Sequence, residues 1–432
     1  MKRKQRIGVI TLGCSKNTVD SERLMNQIVL NDYDISDPNH ADTIIINTCG
    51  FIEAAKEESI NSILNAVELK KQGKIKKVIV SGCLSQRYKE DLIKEIPEVD
   101  SWFGTENYEG IIKEIGGELK YELLGERYIT TPGHYAYLKI SEGCNNPCSF
   151  CAIPIMRGKH KSKTIEELMN EARFLASNGT KELIIIGQDT TDYGIDIYKK
   201  RNLAELLNRL SELNKIEWIR LLYAYPTHFP QDVITALNDN PKLCKYLDLP
   251  LQHISDPVLK SMRRGITSRR SKELIESIKK GVPGLTLRTT FIVGYPGERD
   301  KDFTELCDFI KQYEFDRIGV FTYSAEENTS AFDMGDPIPA EIKEERKSAL
   351  MEIQKEISEK KNKSLVGHNM RVVIDGFEGE RSTGYYVGRS HRDAPEVDGE
   401  VLIPADHRLL TGHFYYVTIY DYNEYDLFGR LK

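Results

Sequence analysis

Three short apolar runs open the chain, at residues 6–13, 43–47 and 77–81, and each precedes a stretch with apolar residues at helical spacing, at 17–30, 53–71 and 86–96. A strand that reads as a continuous Ile/Val run is covered on both faces, as in parallel sheets. The first part is therefore predicted to be a doubly wound α/β unit reaching residue 124. Residues 125–133 carry Gly, Pro and Thr, break the pattern and read as a linker.

Beyond the linker the alternation resumes, with strands predicted at 135–140, 182–187, 218–224, 246–249, 286–293 and 317–322. Six strand-plus-helix units predict a partial or complete parallel (β/α) barrel over residues 134–363, ending in a charged amphipathic helix at 340–365. The pattern then changes to short alternating strands at 371–374, 384–389, 400–403 and 414–421. Residues 364–432 are expected to form a small antiparallel barrel or sandwich, so the fold class is α/β with a β-rich end.

Composition narrows the class little further. No apolar run approaches the roughly 18 residues of a membrane helix, and the basic start lacks a signal-peptide cleavage pattern. A cytoplasmic protein without membrane contact is expected. In that compartment the eight cysteines (14, 49, 83, 144, 148, 151, 244, 307) stay reduced and are better read as ligands, catalytic groups or core thiols than as disulfides. The net charge of −6 does not advertise a nucleic-acid binder.

Chemistry concentrates first in Cys144, Cys148 and Cys151, a Cys-x3-Cys-x2-Cys loop directly after the first predicted barrel strand. Three thiolates so close in sequence can wrap three irons of a [4Fe–4S] cube and leave the fourth open, although zinc remains an alternative. Cys14, Cys49 and Cys83 are distant in sequence, yet each follows the end of a successive strand of the first unit. Adjacent strands lie about 4.8 Å apart, so neighbouring loops can bring the three sulfurs together. Cys244 and Cys307 lack such placement and read as core or incidental.

The Cys-x3-Cys-x2-Cys loop, with Phe150 before the last cysteine, resembles the radical S-adenosylmethionine (SAM) superfamily. That resemblance implies that the open iron chelates SAM and that an electron cleaves it to a 5′-deoxyadenosyl radical, which takes a hydrogen from an inert carbon. Both cysteine sets and the three-part order together resemble the methylthiotransferases from about residue 5 onward, with a TRAM-like final domain. The resemblance implies a second, auxiliary [4Fe–4S] cluster on Cys14, Cys49 and Cys83 that carries the sulfur to be inserted. Gln188 and Arg288, polar residues on predicted barrel strands, are candidates for holding SAM; Arg288 has the alternative of pairing with a neighbouring acid. The glycines of 187–189 and 294–298 fall at strand ends, where they admit a cofactor or simply turn the chain.

The family includes enzymes that modify an adenosine of tRNA and enzymes that modify the β-carbon of an aspartate in small-subunit ribosomal protein twelve. Residues 11–22, with Ser15 and Lys16 after Cys14, look like the ribosomal-protein type, and 51–59, 250–253 and 319–324 point the same way. Residues 364–432 hold seven Lys/Arg (Arg371, Arg381, Arg389, Arg392, Arg408, Arg430, Lys432) against eleven Asp/Glu. A tRNA grip draws its affinity from basic residues, whereas an acidic module suits a basic ribosomal protein. The basic runs 157–163 and 262–272 read as solvated surface that leaves RNA contact open. An electron donor is a further expected partner. The alternatives are a tRNA adenosine methylthiotransferase and a non-catalytic two-cluster electron carrier, although a carrier seldom needs such a barrel.

Overall fold

The computed structural model describes residues 4–380 and 383–432 of the 432; Arg381 lies outside them. The first unit is a parallel sheet of β1 (Arg6–Thr11), β2 (Asp34–Ile35), β3 (Thr43–Thr48), β4 (Lys77–Gly82) and β5 (Ser101–Trp102) in the order 2-1-3-4-5. Helices α1 (Ser15–Leu30), α2 (Glu53–Lys71), α3 (Cys83–Glu95) and α4 (Tyr108–Glu114) cover both faces. That coverage explains why every residue of β3 is buried. Ile44, Ile46, Val78 and Val80 pack towards α2, while Ile7, Ile45 and Ile79 pack towards α1 and α4.

The connection from 124 to 134 contains no helix or strand, but it is stitched down. Arg127 lies between Glu22 of α1 and Glu171, and Thr130 donates twice to Glu22.

The central unit comprises β6 (Tyr135–Lys139), a ribbon of β7 (Ser141–Glu142) and β8 (Lys161–Ser162) enclosing α5 (Ile153–Arg157), then α6 (Ile165–Ser177) and β9 (Glu182–Ile186). It continues through α7 (Leu203–Ser211), β10 (Trp218–Leu221), α8 (Gln231–Asp239), β11 (Leu243–Asp248), α9 (Asp256–Ser261) and α10 (Ser268–Gly281). It ends with β12 (Thr286–Val293), α11 (Asp300–Tyr313), β13 (Arg317–Thr322) and α12 (Ala340–Ser364). Six parallel strands run in sequence order, 6-9-10-11-12-13, without β13 pairing back to β6, so the barrel is partial. The outward residues of its strands pack under the helices, and the inward ones line the lumen: Tyr135, Tyr137, Ile184, Ile186, Trp218 and Tyr246.

The final unit is a closed five-stranded barrel of β14 (Asn369–Glu378), β15 (Tyr385–Ser390), β16 (Val401–Pro404), β17 (Phe414–Tyr422) and β18 (Leu427–Leu431). Four of these match the expected strands; β18, which follows a polar turn after β17, is additional. The segment 389–398, from the end of β15 into the following loop, engages all six strands of the central barrel near where β6, β9 and β13 begin. Tyr135 and Tyr137 donate to Glu396, Arg389 pairs with Glu182, and Arg220 donates to Ser390 and His391 carbonyls. Tyr246 and Arg288 meet Asp398, and Arg317 meets Asp393. The small barrel thereby fills the end of the lumen opposite the cysteine loop.

Candidate iron–sulfur centres

Register builds the first cysteine set. Thr11 pairs with Asn47 and Asn47 with Ser81, so the ends of β1, β3 and β4 are level and Cys14, Cys49 and Cys83 emerge from adjacent loops. Gly13, at φ +89°, makes their approach possible: a Cβ there would lie 2.6 Å from the Cys49 Cβ and 2.8 Å from its Sγ. Gly82, at φ +100°, likewise turns against the Thr48 backbone, leaving only 2.5 Å to its carbonyl oxygen. Cys49 and Cys83 are buried and Cys14 is exposed.

The second set sits in one loop that neighbouring segments hold in place. The Cys144 amide donates to the Gly158 carbonyl at 3.1 Å, and Ser149 donates to the Met262 carbonyl and shares a 2.8 Å bond with the Tyr295 hydroxyl. Donors surround the sulfurs. Cys144 Sγ accepts from the Asn146 backbone and side chain at 3.4 and 3.3 Å, and Cys148 Sγ accepts from Arg264 at 3.2 Å with the Tyr225 hydroxyl at 3.4 Å.

One buried polar frame joins the sets. Arg157, on α5 just after Cys151, donates to Cys83 Sγ at 3.3 Å, to Asp20 of α1 at 2.9 Å, to Glu142 at 3.0 Å and to Asn17. Lys139 of β6 pairs with Asp20, Glu106 and Glu142. Burial alone would raise the Asp20 carboxyl, but Lys139 and Arg157 overcome it and hold it below the usual carboxylate range.

The donor chemistry fits iron–sulfur clusters at both places. In neither set do all three sulfurs fall within 4.8 Å of one another; among the described residues the only three metal-type donors that close are Asp20, Glu106 and Glu142, which already surround Lys139. Thiols spaced too widely for one ion, with N–H donors aimed at them, suit a cube. Burial pushes the Cys83 and Cys144 thiols up to about 11 and Cys151 up to about 12, so binding of a metal or cluster there would have to expel their protons.

Gln188, just beyond β9, donates to Glu142 at 2.8 Å beside the Cys144 loop, and its own carbonyl oxygen is buried without a partner. Arg288 departs from the SAM-holding expectation. It is the third residue of β12, and its guanidinium is committed to Asp248 at 3.1 Å and Asp398 at 3.6 Å. The 294–298 segment is a self-closed turn, with Glu298 accepting from the Gly294 and Tyr295 amides and pairing with Arg346 of α12. Cys244 is buried among lumen residues, and Cys307 packs beside the outer core. The basic runs are not wholly solvated surface, since Arg157 and Arg264 are buried against sulfur. Nothing in sequence separates them from their exposed neighbours beyond nearness to a cysteine loop.

The chain matches the Radical SAM superfamily over residues 138–310, the uncharacterized protein family UPF0004 over 6–104 and the TRAM domain over 366–431. It is 54% identical over 429 residues to the ribosomal protein uS12 methylthiotransferase RimO of Christiangramia forsetii, covering 99% of this chain and 94% of that protein. The protein of the same name from Cytophaga hutchinsonii is 50% identical, with 99% and 98% covered. Among solved structures, the radical SAM methyltransferase TsrM of Kitasatospora setae, with cobalamin and a [4Fe–4S] cluster, shares the fold at TM-score 0.55 and 11% identity, over 76% of this chain and 77% of that one.

Proposed function

The chain belongs to the RimO family of radical SAM methylthiotransferases, and from that premise we propose that it adds a methylthio group to the β-carbon of an aspartate in ribosomal protein uS12. The observation that carries this reading is Arg157, whose one guanidinium touches both the Cys83 sulfur and the Glu142 carboxylate that leads into the Cys144 loop. Two sulfur sites locked to one frame suit a reaction that generates a radical at one and delivers sulfur from the other. We assign Cys14, Cys49 and Cys83 to an auxiliary [4Fe–4S] cluster and Cys144, Cys148 and Cys151 to the SAM-cleaving one. When bound, these cofactors supply the electron that cleaves SAM and the sulfur that is transferred.

The protein's part is placement. A carbon–hydrogen bond beside a carboxylate is too weakly acidic for a general base at neutral pH, so the residues hold cofactors and exclude water instead of moving that proton. Arg157 and Arg264 stabilise negative charge on their cysteine sulfurs. The unbonded Gln188 oxygen suits the SAM ammonium; Arg288, held by two acids, is left to structure. We place the cluster domain at 1–124, the linker at 125–133, the radical SAM core at 134–363 and the TRAM-like domain at 364–432. That last domain, with seven basic against eleven acidic residues, favours a basic protein over tRNA. The reductant is a separate electron donor. The setting is the cytoplasm, in keeping with the lack, among the described residues, of a helix long and apolar enough to cross a membrane.

Mass spectrometry of uS12 from cells with and without the gene, beside nucleoside analysis of their tRNA, tests the reading. A methylthio gain on one aspartate that vanishes with the gene supports it. Loss of a tRNA methylthioadenosine, or no change in either pool, contradicts it.

A further inference from the structure

Among the described residues three lysines are buried: Lys16, Lys139 and Lys343. Lys139 pairs with three acids and Lys343 with Asp336. Lys16, 7% exposed, forms no ion pair or hydrogen bond with any described residue; its ammonium lies 2.9 Å from the centre of the Tyr223 ring. Burying an ammonium without a counter-ion is unfavourable, and an aromatic face offsets only part of that cost. The position therefore suits an anion.

Its location says which anion. Lys16 stands two residues beyond Cys14 in the first turn of α1, and Val19, on the same helix, belongs to the buried cluster formed by the lumen residues. Tyr223 follows β10 at the barrel rim. The ammonium therefore faces the lumen between the auxiliary cysteines and the space where substrate must enter.

Resting on the aspartate reading above, we propose that Lys16 binds the carboxylate of the target aspartate, with Tyr223 as the aromatic wall beside it. A carboxylate held by Lys16, two residues beyond Cys14 in the chain, keeps its own β-carbon one bond away from the fixed group. The same ammonium could instead take the carboxylate of SAM, so the test separates the two sources.

Calorimetry on the cluster-loaded enzyme measures binding of a uS12 loop peptide with aspartate at the target position, of the same peptide with asparagine, and of SAM. A charge-assisted hydrogen bond predicts that the aspartate peptide binds the unaltered enzyme about tenfold or more tighter than the asparagine peptide. Lys16→Gln removes that preference, Lys16→Arg keeps most of it, and SAM affinity is the same in all three proteins. Equal affinity of the unaltered enzyme for both peptides overturns the proposal, which needs no variant to be read. So does retention of the preference in Lys16→Gln, or a loss confined to SAM. An unaltered enzyme that prefers the aspartate peptide but leaves it unmodified overturns the aspartate-modification reading while the Lys16 contact stands.

Discussion

Cys144, Cys148 and Cys151 sit in one short loop, whereas Cys14, Cys49 and Cys83 are gathered from the ends of three parallel strands. The local set depends on spacing; the dispersed set depends on register, on a glycine that lets two loops touch, and on an arginine contributed by the other set's domain. Damage to the scaffold should therefore disable the dispersed site while the local one survives.

The largest break is at Gly13. Alanine there meets both a left-handed backbone and the Cys49 side chain at 2.6 Å, with strain alone costing about 1–3 kcal/mol. Gly13→Ala is expected to lose the auxiliary cluster, seen as a fall in bound iron, while SAM still binds the barrel site. Next comes the clamp between α1 and α6. Burial would raise the Glu171 carboxyl, but Arg23, Lys163 and Arg127 hold it down at about 2, against an ordinary value near 4.5. A depressed carboxyl contributes stability above its ordinary value and loses it as pH falls towards the depressed one. Glu171→Gln is therefore expected to lower stability by about 3 kcal/mol at neutral pH, with the gap in melting temperature closing between pH 4.5 and 2.

A smaller effect sharpens the comparison without breaking either site. Removing one N–H···S bond to a charged sulfur, worth about 1.5 kcal/mol, corresponds to about 60 mV for one electron. Arg264→Gln should move the reduction potential of the cluster on Cys144, Cys148 and Cys151 more negative by that order and leave the auxiliary cluster's in place; spectroelectrochemical titration reads both.

The same contrast explains what the sequence made legible. The continuous apolar runs of β3 and β9 predicted buried parallel strands, and the Cys-x3-Cys-x2-Cys loop announced itself by spacing. Cys14, Cys49 and Cys83 could be grouped because each follows a strand. Contacts between units carry no such periodicity: Arg157 reaching Cys83, residues 390–398 filling the barrel end, and Arg288 answering Asp398 all join residues whose sequence neighbours say nothing of the partner. The last strand, β18, escaped because the polar turn before it ends the visible alternation.

The most direct test of two separate clusters on one frame is to count iron and 5′-deoxyadenosine in Cys49→Ala and Cys148→Ala after reconstitution and reduction with SAM present. Each variant should lose one cluster's iron; Cys49→Ala should still form 5′-deoxyadenosine without modifying uS12, and Cys148→Ala should form none. Equal loss of 5′-deoxyadenosine in both variants, or unchanged iron in Cys49→Ala, would contradict the account.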